Sequence, residues 1–314
     1  MSANGPGHSG PGSHEQPGDH EHPGTHEPPE THERPGDRGR PAGLGATDLP
    51  EHTATVAASF SGAADARLAS VVAAAVRHLH AFVEEVGLTR DEWLTGLRYL
   101  TEVGHTCDDV RQEFVLLSDV LGLSTLVELL DGSPGSAATE STILGPFYVP
   151  GAPARAFGES IVDDPATGGE PLMLTGRVVD VGGAAVAGAR LDVWQVQPNG
   201  RYDIEEDPTK RNLRGVFTSR DDGAFEIRTV RPVDYTIADD GPVGALLRAA
   251  GRHPWRPAHV HLIVEAPGFR RVVTHVFDED SRWIAGDAVF GVRPSLCRSM
   301  AKGTCRFDVV LERA

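Results

Sequence analysis

The chain has 314 residues, 39% of them apolar, with 36 glycines, 23 prolines and a formal net charge of −16. That length suits one large domain or two smaller ones, and an acidic chain has no basic stripe to meet nucleic-acid phosphates; solubility is the ordinary reading of such a charge. Cys107, Cys297 and Cys305 are too few and too scattered for a disulfide framework or a zinc site, no apolar run reaches the ~18 residues of a membrane span, and a cytoplasmic setting is expected.

Residues 1–52 read as a disordered tail. A six-residue unit recurs from His14 ("HEQPGD", "HEHPGT", "HEPPET", "HERPGD"), and nothing in it could build a core. The histidines at 8, 14, 20, 22, 26 and 32 fit loose metal capture, or simply a polar spacer. A helical module is expected over 53–135. Leu68, Val71, Val72, Ala75, Val76, Leu79, Phe82 and Val83 recur at helical spacing until Gly87. Thr89 and Glu92 offer a capping box for a second helix, and a third is expected from about Cys107 to Leu121.

From about residue 170 short strands alternate with Gly, Asp and Pro turns: "LMLTGRVVDV", "ARLDVWQVQ", "AFEIRTV", "HVHLIVE", "RRVVTHVF" and "RFDVVLE". Helices first and strands second make an α+β chain, its residues 136–314 expected to form an antiparallel β-sandwich domain. In "HVHLIVE", His259 and His261 fall on one face of a strand roughly 7 Å apart, with Val260 and Leu262 on the other. Paired imidazoles suit zinc, copper or iron, but equally a strand end satisfied by water or backbone. Two of only four tyrosines, Tyr202 in "PNGRYD" and Tyr235 in "RPVDYTI", precede the pair in turn contexts. Phenolate is a hard anionic donor, so two tyrosines with two histidines favour ferric iron; taken singly, each tyrosine reads as an amphipathic boundary residue.

The chain resembles the intradiol ring-cleavage dioxygenases over about residues 64–312. The ordered motifs "RQEFVLLSDVLG", "ESTILGPFYVPGAP", "LDVWQVQPNGRYD", "RPVDYTI", "DGPVG" and "GRHPWRPAHVHLIVEAPGF" carry that resemblance. "GRHPWRPAH" and "DAVFGVRPSL" are most similar to the members of the family that act on hydroxyquinol. The resemblance implies one Fe(3+) per chain, held by Tyr202, Tyr235, His259 and His261, with Tyr235 also acting as base and Arg256 as the catalytic arginine. It implies a substrate wall of Leu116, Asp119, Ile143, Leu144, Gly145, Pro146, Phe147, Ile237, Ala238 and Val289, together with Arg256. It also implies an aromatic diol or triol and O2 as substrates, with catechol or a chlorocatechol as the alternatives to hydroxyquinol. A homodimer through the helical module, with a lipid between helices, is implied as well. One departure stands out: His275 aligns where many members of the family carry glutamine. A non-enzymatic sandwich with a structural metal is the competing class, disfavoured because a structural zinc site has no use for two phenolates.

Overall fold

A computed structural model describes residues 48–314 except 110, 133–135 and 208. The repeats and histidines of the tail lie outside the described residues. Helix α1 spans Asp48–Ala58, with Asp48 and Glu51 in its first turn, where the helix dipole favours carboxylates. The tail expected to reach residue 52 therefore gives way to helix at Asp48. Helix α2 (Ala66–Val86) is capped by Asp65, whose carboxylate accepts from the amides of Arg67 and Leu68. It ends at Gly87 with φ 59°, and the Leu88 amide returns to the Val83 carbonyl at 3.0 Å. Against α1, His80 stacks on His52 and shares a 2.8 Å hydrogen bond with Thr53.

By length and mean composition α2 is long and apolar enough to cross a bilayer, although Arg67, Arg77, His78 and His80 keep it from being an uninterrupted apolar run. Its valines, alanines and leucines bring it there despite those residues.

The chain falls into two compact units, one ending at Leu88 and one running Thr89–Ala314. Three helices expected to belong with the first module lie in the second unit. These are α3 (Arg90–Thr106), which starts with the Thr89–Glu92 capping box, α4 (Glu113–Val120) and α5 (Leu123–Asp131). The helix expected from Cys107 starts only at Glu113, because Asp108 holds a turn: its carboxylate accepts from the Arg111 amide and its carbonyl from the Gln112 side chain. Leu116, Leu117 and Val120 of α4 pack with Val243 and Leu247 of α7 (Pro242–Ala249) and with Ile143, Ile237 and Val289. That packing ties the helices to the sheet unit.

Strands β1 (Pro171–Asp180), β2 (Arg190–Gln195), β3 (Arg214–Thr218), β4 (Ala224–Val230) and β5 (Tyr235–Thr236) precede α7, with a short α6 (Asp203–Glu206) before β3. After α7 come β6 (Trp255–Arg256), β7 (His259–Glu265), β8 (Val272–Asp278), β9 (Cys297–Arg298), β10 (Thr304–Arg306) and β11 (Val309–Leu311). One sheet has the order β3-β2-β7-β8-β9; in another, β1 is flanked by β4 and, in succession, by β10 and β11; β5 and β6 form a separate ribbon. The sheets are mixed, not purely antiparallel as expected: β1 pairs β10 and β11 in parallel, and β8 pairs β9 in parallel. The chain's last strands reach β1 from across the fold, so no hairpin turn constrains their direction. One core unites Leu172, Leu174, Phe225 and Ile227 of the first-strand sheet with Leu191, Val193, Val260, Leu262 and Val276 of the five-stranded one.

Candidate metal centre and substrate cleft

Strand β7 lies at the middle of its sheet and is buried along almost its whole length. Its period-two alternation sends Val260, Leu262 and Val264 into the main core and leaves His259 and His261 on the opposite face. Neighbouring strands extend that face. Trp194 of β2 and His275 of β8 both stand opposite His261, so three rings form a row across three strands. Trp194 stacks on His261 with centroids 4.6 Å apart and planes 11° from parallel.

The tyrosines arrive from loops. A turn at Gly200, with φ 82°, delivers Tyr202 to the start of α6, where the Tyr202 amide donates to Glu205 at 2.6 Å. Behind it Arg214 and Asp203, both buried, form an ion pair at 2.6 Å, and Arg214 also donates to the Phe147 carbonyl. Tyr235 opens β5 and stands directly opposite Arg256 of β6.

All four chains of contact end at one point. Tyr202 Oη lies 2.9 Å from His261 Nε2 and 3.2 Å from Tyr235 Oη, and the Nε2 atoms of His259 and His261 are 3.1 Å apart. Arg256 Nη1 stands 3.3 Å from Tyr235 Oη and 3.4 Å from His259 Nε2. Donors held about 2 Å from one ion at right angles stand about 3 Å apart, so this spacing fits a shared metal. The tautomer fits too. His259 Nδ1 lies 2.7 Å from the Pro257 carbonyl, which can only accept, so the proton sits on Nδ1 and Nε2 keeps its lone pair.

Burial pushes His259, His261 and His275 well below the ordinary imidazole pKa, and neighbouring positive or potentially positive groups add to this, so the rings are neutral and able to ligate. Burial likewise raises both phenols, Tyr202 well above its ordinary value with Tyr235 adding to it, and Tyr235 against the opposing pull of Arg256. Burial alone would lower Arg256; Asp287 and the two phenols outweigh it and keep the guanidinium charged. Among the described residues, the three histidines are the one group of His, Cys, Asp or Glu side chains spaced to hold a metal.

A cleft of about 710 Å³ opens onto Tyr235 and Arg256. Leu116, Asp119, Ile143, Gly145, Pro146, Phe147, Ile237, Ala238 and Val289 line it, all from the expected wall. Leu144 does not; more than a third exposed, it points away, since its neighbours Ile143 and Gly145 occupy the inward positions. Gly145 has φ 74°, and a Cβ there would meet His261 Cε1 at 3.5 Å, so the loop passes close beneath the histidine row. Sequence reasoning missed Asp287, which grips Arg256, and the Trp194 and Trp255 rings. Asp287 sits inside the quoted motif "DAVFGVRPSL", yet nothing in one sequence links it to an arginine 31 positions earlier.

Comparison with known proteins gives the family. A family profile described as Dioxygenase matches residues 143–311, and one described as Catechol dioxygenase N terminus matches residues 65–139. The chain belongs to the intradiol ring-cleavage dioxygenase family, whose members are non-haem iron enzymes. It is 48% identical over 244 residues to the hydroxyquinol 1,2-dioxygenase of Rhizobium sp. (strain MTP-10005), covering 77% of this chain and 82% of that one. It is 46% identical over 260 residues to the 6-chlorohydroxyquinol 1,2-dioxygenase of Cupriavidus pinatubonensis, covering 82% and 94%. The crystal structure of hydroxyquinol 1,2-dioxygenase from Pseudomonas putida DLL-E4 superposes with a TM-score of 0.79 at 42% identity, over 85% of this chain and 99% of that one.

Proposed function

We propose that this chain cleaves hydroxyquinol between its two adjacent hydroxyl-bearing carbons, inserting both atoms of O2 to give 3-hydroxy-cis,cis-muconate, the tautomer of maleylacetate. The observation that carries the reading is the convergence of Tyr202, Tyr235, His259 and His261 on one point at the floor of the cleft. These four side chains would hold ferric iron: two neutral imidazoles supply lone pairs, and two phenols become anionic to offset the +3 charge. Bound there, the iron supplies Lewis acidity that lowers the pKa of substrate hydroxyls and activates the ring toward O2.

The chain's own residues do the rest. Tyr235 Oη, facing the cleft, accepts one substrate proton, and Arg256 at 3.3 Å stabilises negative charge developing on the ring. Ile143, Ile237 and Val289 form an apolar wall against the flat ring, and Asp119 adds a polar group to it. One or two such side chains shift preference among hydroxyquinol, its chlorinated form and catechol by ~1–3 kcal/mol.

The shared core of the two main sheets supports a sandwich arrangement. An exposed apolar stripe on α2, formed by Leu68, Val71, Leu79, Phe82, Val83 and Val86, supports a homodimer through that helix and is of a chemistry that a lipid chain could cover. The acidic charge and catabolic chemistry suit a cytoplasmic enzyme.

Oxygen uptake on hydroxyquinol and on catechol, with Tyr235→Phe as the control for autoxidation, tests the reading. Rapid uptake on hydroxyquinol with a silent control is expected. Preference for catechol would overturn the substrate, and equal uptake by the control would overturn the role of Tyr235.

A further inference from the structure

Three imidazoles, not two, face the point beneath the cleft. His275 stands across from His261 in the β7–β8 register and is completely buried. Its Nδ1 is bonded to the Thr142 hydroxyl, while its Nε2 has no partner in the protein. The His275 ring lies 4.2 Å from that of His261 and 4.6 Å from that of His259, centroid to centroid. One ligating nitrogen from each of the three rings lies within 4.8 Å of the other two. A buried nitrogen left without a partner is costly, and its retention here asks for a ligand.

We propose that His259, His261 and His275 form a second metal set in the same cavity, one that takes a divalent cation of the zinc class. The two sets differ in charge. Ferric iron calls for the anionic oxygens of Tyr202 and Tyr235, whereas a borderline +2 ion is satisfied by three neutral imidazoles and an open fourth position. Thr142 suits the second role, because its hydroxyl can accept the Nδ1 proton of His275 and leave Nε2 as the lone pair, as the Pro257 carbonyl does for His259. His259 and His261 belong to both sets, so a divalent ion bound through His275 excludes iron. The site is thus a built-in point of inhibition by zinc. The inference touches the proposed iron site only through those two shared histidines.

The test uses the full chain, stripped of metal and titrated with Co2+ alone while its visible d–d absorption is followed. Parent and His275→Gln carry the same tail histidines, so their difference reports the buried set. His275→Gln is expected to weaken cobalt binding at least about tenfold, and Thr142→Val to weaken it by about 10–100-fold. The same His275→Gln chain, loaded with ferric iron, should keep full iron content and the phenolate-to-iron visible band. Tyr202→Phe should do the reverse, weakening and shifting that band, which Tyr235 alone then supplies, while keeping cobalt affinity unchanged. Equal cobalt affinity in parent and His275→Gln overturns the proposal, as does cobalt binding that ionises tyrosine in the ultraviolet difference spectrum. Loss of iron from His275→Gln would place the ring in the iron set and overturn it too. Cobalt bound through His275 by a chain that takes no iron would support this inference and remove the iron reading.

Discussion

Arg256 and Asp287 form a buried two-point ion pair: Nε donates to Oδ1 at 3.0 Å and Nη2 to Oδ2 at 3.3 Å. The third nitrogen, Nη1, is thereby aimed at Tyr235 and His259. The same carboxylate accepts from the amides of Val289 and Gly291, so one residue fixes both the arginine and a wall of the cleft.

Asp287→Asn keeps the shape and removes the charge. Without its partner the guanidinium loses its fixed aim, and kcat should fall about 100-fold, comparable with removing a preorganised donor. Steady-state kinetics at a temperature where circular dichroism shows a native fold checks this. An unchanged kcat would mean that Arg256 needs no help in pointing.

Arg214 plays a structural part under the same site. Its pair with Asp203, beside Tyr202, is shielded from water, so Arg214→Met leaves a buried carboxylate alone. A loss of about 3–5 kcal/mol is expected in urea denaturation, together with a lower iron content per chain because the Tyr202 turn loosens.

Gly176 marks the place where β1 passes from β10 to β11. A Cβ there would sit 1.9 Å from the Phe307 carbonyl oxygen, a backbone atom that cannot swing aside. Gly176→Ala should cost about 3 kcal/mol or more, at the upper end for overpacking, and a thermal melt within a degree or so of the parent would contradict the close crossing.

Asp119 gives a pH dependence of known sign. Burial raises its carboxyl pKa, a trend that Ser124 and Arg256 oppose and Asp287 reinforces. Between the ordinary carboxylate pKa and its own raised value, the native chain binds more protons than the unfolded one. The stability from Asp119 is therefore complete below that window and is lost as pH rises through it. Urea midpoints of Asp119→Asn, measured relative to the parent, should rise through this window and then level off. A difference that stays flat with pH would deny the shift.

Much of this was legible in the residues themselves. The alternation in "HVHLIVE" gives the two histidine positions, and Thr89 with Glu92 gives the start of α3. Local signals end where partners are remote. The parallel pairing of β10 and β11 with β1, 130 or so residues earlier in the chain, leaves no trace in either segment. Strands β5 and β6 have two residues each, too short for any period to register, yet their pairing sets Tyr235 beside Arg256. His275 stands out only through the family resemblance, as a histidine aligned with a glutamine, and its unpartnered Nε2 appears only once β7 and β8 are side by side.

The most direct test of the account is one turnover experiment: hydroxyquinol with 18O2, followed by mass spectrometry of the product. Both labelled atoms should appear in the ring-opened acid, one on each carbon that carried an adjacent hydroxyl. A product with a single labelled atom introduced from O2 into an intact ring, or a ring opened outside the diol, would contradict intradiol cleavage by this site.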